Sequence, residues 1–318
     1  MPLATFGDSI SSFADAAGSF FQSLADVGWG SLLLGLACYG IYLLTRSRAS
    51  FHVIRAAYPG ERIEWRRIWG AYVVAYGFSS VVPAHGGNVI RLFLVKSSVP
   101  NSTYPAVASS FLTEQIFDWS IAPFILGFAF SQGVFPKPPD FSKLQAFDLS
   151  FFASHPRLLL FVLTASAIAV LVAFAVLSAR VRQGLAILRD RRRFVREVWL
   201  VQFGAWLFRC ASVWFLLEAF HIGGSVRNVL LVLGVAAVSS LVPFTPGGAG
   251  VQQALLVAVF ADQASGATVA AYSVGQQIAL AAFSVAQGFV ALVAIFRFRS
   301  FKAVLRAGRE HRAAEAAG

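Results

Sequence analysis

Charged residues are scarce in this chain. Asp, Glu, Lys and Arg make up only 13% of its 318 residues, against roughly 25% in a soluble domain, whereas hydrophobic residues make up 57%. The mean hydropathy is +0.68. Several apolar runs are long enough to cross a bilayer as helices. The composition therefore excludes a soluble globular protein and predicts an all-α protein with several membrane spans.

Cysteines and the common catalytic motifs are also lacking. The chain has two cysteines, Cys38 and Cys210, and each lies within an apolar run, so no disulfide framework is expected. It contains no HExxH, GxSxG or Walker A sequence. We therefore expect no enzymatic activity, no metal ion and no cofactor. Without an ATP-binding segment, any transport would be passive or coupled to an ion.

The positive charge is concentrated in three segments. The net charge is +11, and arginines cluster in residues 45–67, 180–196 and 297–312. By the positive-inside rule these segments face the cytoplasm of a bacterial inner membrane, whereas the poorly basic loop 131–156 faces outward. The N-terminus is then outside, and the basic tail 297–318 is cytoplasmic. This pattern fits an anionic membrane face rather than nucleic acid.

Seven apolar segments follow one another along the chain. Five are predicted to be full spans: 27–44, 104–130, 158–178, 198–220 and 267–296. The other two, 68–99 and 229–260, are each interrupted by proline and glycine. Their arms of about 12–15 residues are too short for a hydrocarbon core of about 30 Å. Each broken segment must return to the side it entered, either as a re-entrant hairpin or as two short full crossings.

The two broken segments share a sequence pattern. Residues 79–83 read SSVVP, and residues 239–243, located 160 positions later, read SSLVP. After one or two inserted residues, Gln276-Gln277-Ile278 falls opposite Glu114-Gln115-Ile116. We therefore divide the single transmembrane domain, residues 1–318, into two units and a connecting span. Unit one is 27–130, the linking span is 156–178, and unit two is 198–296. The extra span inverts unit two, which predicts an inverted repeat with two re-entrant helical hairpins.

Polar residues inside the predicted spans are the candidate site. The first hairpin carries His85, Asn88 and Arg91, and the next span carries Glu114 and Asp118, four residues apart on one helix face. Arg91 could bind an anionic headgroup while the acidic pair receives a cation or a proton. Alternatively, Arg91 forms an ion pair with Glu114 or Asp118 and stabilises the hairpin.

Unit two supplies a second set of candidates. Arg209 lies near the middle of its span, where the side chain cannot easily reach the interface. Thr245 could cap a new helix that begins at Pro246, and Gly247 and Gly248 would leave its amides free for a phosphate. These glycines would equally allow a tight buried turn. Gln252 could hydrogen-bond between helices.

Three motifs together resemble one known family. They are VPAHGGNVIRLFLV at 82–95, FLTEQIFDW at 111–119 and LVPFTPGGAGVQQALL at 241–256. Over roughly residues 27–300 the chain resembles the lysylphosphatidylglycerol synthase transmembrane family, the membrane part of the multiple peptide resistance factor. The family typically has an acidic residue where this chain has Asn88, and an arginine where it has Gln115.

The resemblance implies a flippase-type fold with two inverted re-entrant elements. In full-length relatives this part moves an aminoacylated phosphatidylglycerol between leaflets, and a soluble aminoacyltransferase domain follows it. These 318 residues contain no such domain, so we expect that they do not synthesise the lipid. Some stand-alone relatives are linked to glycolipids or polyprenyl-linked sugars. Asn88 weakens the case for a cationic headgroup.

The sequence therefore predicts translocation of a polar headgroup that belongs to a membrane phospholipid or glycolipid. One alternative is an ion-coupled transporter of a small anionic solute. Another is a scaffold for a separately encoded lipid-modifying enzyme. A membrane-embedded transferase is disfavoured because no loop is long enough to form a donor site. Relatives often form dimers, so a homodimer is an open partner prediction.

Overall fold

A computed structural model describes residues 26–80, 86–134, 179–240 and 250–298, and every regular element in these ranges is a helix. The predicted linking span 156–178 lies outside the described residues. Most of the basic tail does so as well. Four predicted site residues are also outside them: His85, Thr245, Gly247 and Gly248.

Nine helices are described, four in unit one and five from the second arginine-rich segment onward. Those of unit one are α1 Trp29–Ala57, α2 Trp65–Ser79, α3 Gly86–Ser98 and α4 Tyr104–Ser131. The remaining five are α5 Ala179–Gly184, α6 Arg191–Ala219, α7 Val226–Ser240, α8 Val251–Val259 and α9 Gly266–Ala294. A short 3₁₀ helix, Ala186–Arg189, precedes α6, and a π-helical turn, Val195–Trp199, lies within α6.

The helices have the lengths and surfaces of a membrane protein. Both α6 and α9 are 29 residues long and apolar enough to cross a bilayer. Large apolar side chains are exposed on the outside of several helices, including Trp29 at 68% and Phe124 at 75%. Such surfaces are covered by lipid more readily than by water. The described residues are therefore all-helical, as predicted, and are consistent with an all-α membrane protein.

Helix α1 is longer than the predicted span 27–44. It continues to Ala57 through part of the first arginine-rich segment, which we had treated as a loop. The extension is helical because its small and apolar side chains, such as Ala49 and Val53, pack on Ile187 and Val198. Arg46 consequently lies within a helix and not in a cytoplasmic loop.

Helix α8 begins at Val251 in the described part of the chain. The predicted start of the second arm at Thr245 and Pro246 lies outside the described residues. Gly250 has φ = +84°, outside the helical region and in a conformation that favours glycine. The Gln253 side chain accepts a hydrogen bond from the Gly250 N–H at 2.5 Å, which caps the helix at this point.

Helices of each unit pack against helices of the other unit. Helix α1 packs along α6, α2 packs against α9, and α7 packs against α4. Two hydrophobic cores result. The one centred on unit one includes Ala291 and Leu292 of α9, and the other includes Ile125 and Ala129 of α4. Neither unit buries its apolar surface alone, so the space between them is a structural part of the fold.

Glycines allow α2 to approach α9 closely and α7 to approach α4 closely. A Cβ atom on Gly77 in α2 would lie 2.6 Å from the Ser284 carbonyl oxygen in α9. A Cβ atom on Gly234 in α7 would lie 2.8 Å from the Ala129 Cβ in α4. Small residues at such crossings are typical of helix packing in membranes.

We expect Gly77→Ala to weaken the packing of α2 on α9. The added methyl group would meet a backbone oxygen that cannot move aside easily, at a cost of about 1–3 kcal/mol. Thermal unfolding of the purified protein in detergent measures the effect. Gly204→Ala in α6 is the matched control, because nothing lies within 4 Å of its added Cβ. Equal melting temperatures for the two variants would contradict the close crossing.

Candidate functional site

A polar cavity of about 570 Å³ lies between helices of both units. We call it the first cavity. Helices α1, α2, α3 and α4 supply most of its wall, and α6 and α7 complete it. Its charged lining consists of three arginines and two carboxylates: Arg46, Arg91, Arg209, Glu114 and Asp118. Four of these five residues were predicted site residues.

Arg91 on α3 forms a buried ion pair with Glu114 on α4. Its Nη2 also donates a hydrogen bond to the Ser50 hydroxyl on α1 at 2.7 Å. The guanidinium carbon lies 4.1 Å from the centre of the Phe111 ring and 4.5 Å from that of Tyr72. Arg91 and Glu114 are only 7% and 4% exposed. The sequence allowed an ion pair between Arg91 and Glu114 as one of two alternatives, and the structure contains this pair. Its contacts connect α1, α3 and α4.

Asp118 is held by a different arginine. Arg46 Nη2 on α1 lies 2.7 Å from Asp118 Oδ2 on α4, and Arg46 Nη1 donates to the Tyr42 hydroxyl at 3.2 Å. Glu114 and Asp118 do share one face of α4, but each has its own cation. Sequence reasoning missed Arg46 because it counted this residue among the loop charges. The apolar residues that follow it, up to Ile54, were the available signal that the helix continues.

Arg209 on α6 forms no ion pair with any described residue. The ring centre of Tyr42 lies 5.8 Å from its guanidinium carbon. Tyr76 and Arg46 line the same cavity as Arg209. Three arginines against two carboxylates give the first cavity one positive charge in excess, and Arg209 carries it.

A second cavity of about 260 Å³ adjoins the first. Tyr42, Tyr76 and Arg209 line both cavities. The remaining lining of the second cavity is uncharged in the described part of the chain and combines polar with apolar side chains. Its polar residues outside the shared set are Tyr39, Ser212, Gln252, Gln276 and Gln277.

Glutamine side chains connect α8 to α9 beside the second cavity. Gln277 donates to Gln252, and Gln253 donates to Gln277, both at 3.4 Å. These are long hydrogen bonds and therefore weak ones. The predicted residue Gln252 thus lies at the second cavity, whereas the predicted residue Asn88 is exposed and lines the first.

Helix α6 is attached to α4 near the two carboxylates. Gln202 donates to the Glu114 carbonyl oxygen at 3.4 Å, and Trp199 donates to the Ser120 hydroxyl at 3.1 Å. Trp199 is the last residue of the π-helical turn, a feature that often accompanies functional sites. The sequence did not predict this turn. No group of three metal-ligating side chains occurs among the described residues.

We expect Glu114→Leu to destabilise the protein strongly, because it leaves Arg91 buried without a counterion. Breaking a buried pair in this way costs about 3–5 kcal/mol. The double variant Arg91→Met with Glu114→Leu removes both charges and should recover much of the loss. Thermal unfolding in detergent compares the two. A double variant that is less stable than Glu114→Leu alone would contradict the pairing.

The comparisons with known proteins agree with the resemblance. Residues 13–288 match the model of the family described as "Lysylphosphatidylglycerol synthase TM region". Neither the curated proteins nor the solved structures gave a significant match. The family match covers well over half of the chain, and the helices, their apolar surfaces and the charged cavity are those of a membrane protein. The chain therefore belongs to the lysylphosphatidylglycerol synthase transmembrane family.

Proposed function

We propose that this protein moves the polar headgroup of a lipid between the two leaflets of the membrane. Membership of the family supports a role in lipid headgroup modification or translocation. The single observation that carries the proposal is the pair of adjoining polar cavities between helices whose outer surfaces are apolar. A headgroup that crosses a hydrocarbon layer of about 30 Å needs such a polar route.

The shared wall of the cavities is where a headgroup would pass. Arg209, Tyr42 and Tyr76 line both cavities, as do Leu233 and Ala236, so a group that moves from one cavity to the other would pass beside them. A cation at this position attracts an anionic group and lowers the cost of its desolvation. The tyrosine hydroxyls can donate hydrogen bonds to the same group.

An inverted repeat would let the two cavities open in turn. Two observations support this part of the proposal. First, the first arm of each unit packs against the last span of the other. Second, Glu114 and its matched residue Gln276 are both buried, whereas Gln115 and Gln277 are both exposed. In this proposal α2–α3 and α7–α8 are re-entrant hairpins, and the longest arms, at 15 residues, measure about 22 Å.

The orientation follows from the remaining basic residues. Without Arg46, the end of α1, the loop after it and the start of α2 still carry Arg55, Arg62, Arg66 and Arg67. The 3₁₀ helix and the start of α6 carry Arg189 and Arg191–Arg193. We therefore place these ends in the cytoplasm of a bacterial cell and the N-terminus outside. We further propose that the chain moves its lipid without altering it chemically, because both charged carboxylates of the first cavity are bound to arginines.

We expect Arg209→Gln to slow lipid movement at least about tenfold, a barrier increase of about 1.4 kcal/mol. The purified protein is placed in liposomes with fluorescent lipids of anionic, zwitterionic, aminoacylated and glycosylated headgroups, and their quenching from outside is followed. Arg227→Gln is the matched control, because Arg227 is exposed and bonds to Gln132 away from both cavities.

Two results would overturn the proposal. One is uptake of a small soluble anion by wild-type liposomes in which no lipid moves, which would favour a small-anion transporter. The other is lipid movement that Arg209→Gln and Arg227→Gln change equally.

A further inference from the structure

We infer that the headgroup is a phosphate joined to an uncharged group rich in hydroxyls, such as a polyol or a sugar, and that a cationic aminoacyl headgroup is disfavoured. This inference rests on the proposed function, because it takes the two cavities as the headgroup site. Three features of the cavities carry it: the engaged carboxylates, the unpaired Arg209, and the amides of the second cavity.

Neither carboxylate that lines the first cavity is free of a cation. Glu114 is bound by Arg91, and Asp118 is bound by Arg46 at 2.7 Å. The charge of each carboxylate is already balanced by an arginine, so an added ammonium group would leave the site with an excess positive charge, which is costly inside a membrane. The second cavity offers no alternative, because no acidic residue lines it in the described part of the chain.

Arg209, by contrast, has room for an anion. The guanidinium group binds phosphate well because its planar donors match two phosphate oxygens. A bound phosphate would therefore supply the counter-charge that Arg209 lacks among the described residues.

A comparison of the two units shows why Arg209 has no carboxylate partner among the described residues. At the spacing of 160 that relates residues before the two breaks, Arg46 corresponds to Trp206, and Arg209 lies three residues further along α6. Asp118, the partner of Arg46, corresponds at a spacing of 162 to Leu280. Leu280 lines the second cavity together with Arg209. Unit two thus has the arginine but carries an apolar residue in place of the carboxylate.

The second cavity suits hydroxyl groups. Amide side chains both donate and accept hydrogen bonds, as hydroxyls do. In unit one the corresponding helix junction, α3 with α4, holds the Arg91–Glu114 ion pair, whereas in unit two α8 and α9 meet through Gln252, Gln253 and Gln277. The hydrogen bonds between these amide side chains are long, at 3.4 Å, so they can be replaced by hydrogen bonds to a ligand at little cost in free energy. The neutral amides thereby select an uncharged polar group.

Size is compatible with this assignment. The two cavities measure about 570 and 260 Å³ and meet at Arg209. Small-molecule sites are typically about 300–1,000 Å³. A phosphate at Arg209 would leave the second cavity for the hydroxyl-bearing group.

Equilibrium binding to the full chain in detergent tests the inference without requiring transport. The probes are phosphatidylinositol, phosphatidic acid, lysyl-phosphatidylglycerol and the water-soluble inositol 1-phosphate. We expect phosphatidylinositol to bind at least about tenfold more tightly than lysyl-phosphatidylglycerol, and more tightly than phosphatidic acid. Arg209→Gln should weaken binding of both anionic lipids. Gln276→Leu should remove only the preference for phosphatidylinositol over phosphatidic acid.

Gln132→Leu, an exposed residue away from the cavities, is the control and should bind as wild type does. Tighter binding of lysyl-phosphatidylglycerol than of phosphatidylinositol would overturn the inference. The inference would also be overturned if the double variant Gln276→Leu with Gln252→Leu kept the full preference for phosphatidylinositol over phosphatidic acid. If inositol 1-phosphate bound as tightly as phosphatidylinositol, the headgroup chemistry would be supported, but the claim that the ligand is a lipid would be contradicted. Selective binding without lipid movement in liposomes would uphold this inference while the proposed translocation fails.

Discussion

Two ion pairs, one helical turn apart on α4, organise the centre of this protein. Glu114 binds Arg91 of α3, and Asp118 binds Arg46 of α1. Arg91 also reaches Ser50 of α1, so the three helices are connected at one level. Charges inside a membrane are stable only when they are paired or hydrated, so this network determines where α1, α3 and α4 can lie. The first cavity is the space that these helices then enclose with α6 and α7.

The same requirement gives Arg209 its importance. Unit two has Arg209, three residues after the position that corresponds to Arg46, but no described carboxylate pairs with it, and Leu280 occupies the position that corresponds to Asp118. The described charged residues that line the first cavity therefore carry one positive charge in excess. A ligand phosphate would complete it, and the glutamines around the second cavity would bind the neutral remainder of the headgroup. In the proposed function, binding and transport would therefore depend on this difference between the two units.

Part of this arrangement could be predicted from the sequence. The local pattern predicted the arms α2 and α3 to within a few residues, and the spacing of Glu114 and Asp118 placed them on one face of α4. Local patterns do not determine partners far apart in sequence. The pairing of Arg46 with Asp118, 72 positions away, depends on how α1 continues and how it packs against α4. The start of α8 depends on the positive φ angle of Gly250, and the sequence does not distinguish this glycine from its neighbouring glycines. The roles assigned to His85, Thr245, Gly247 and Gly248 stay predictions.

The most direct measurement of the central claim is the binding of an anionic lipid to Leu280→Asp. This substitution would give Arg209 the carboxylate that Arg46 has in unit one. The account predicts that the variant folds but loses binding of phosphatidylinositol, whereas Leu280→Asn, which adds a polar group without charge, retains it. Equal, undiminished binding in both variants would contradict the claim that an unpaired Arg209 receives the phosphate.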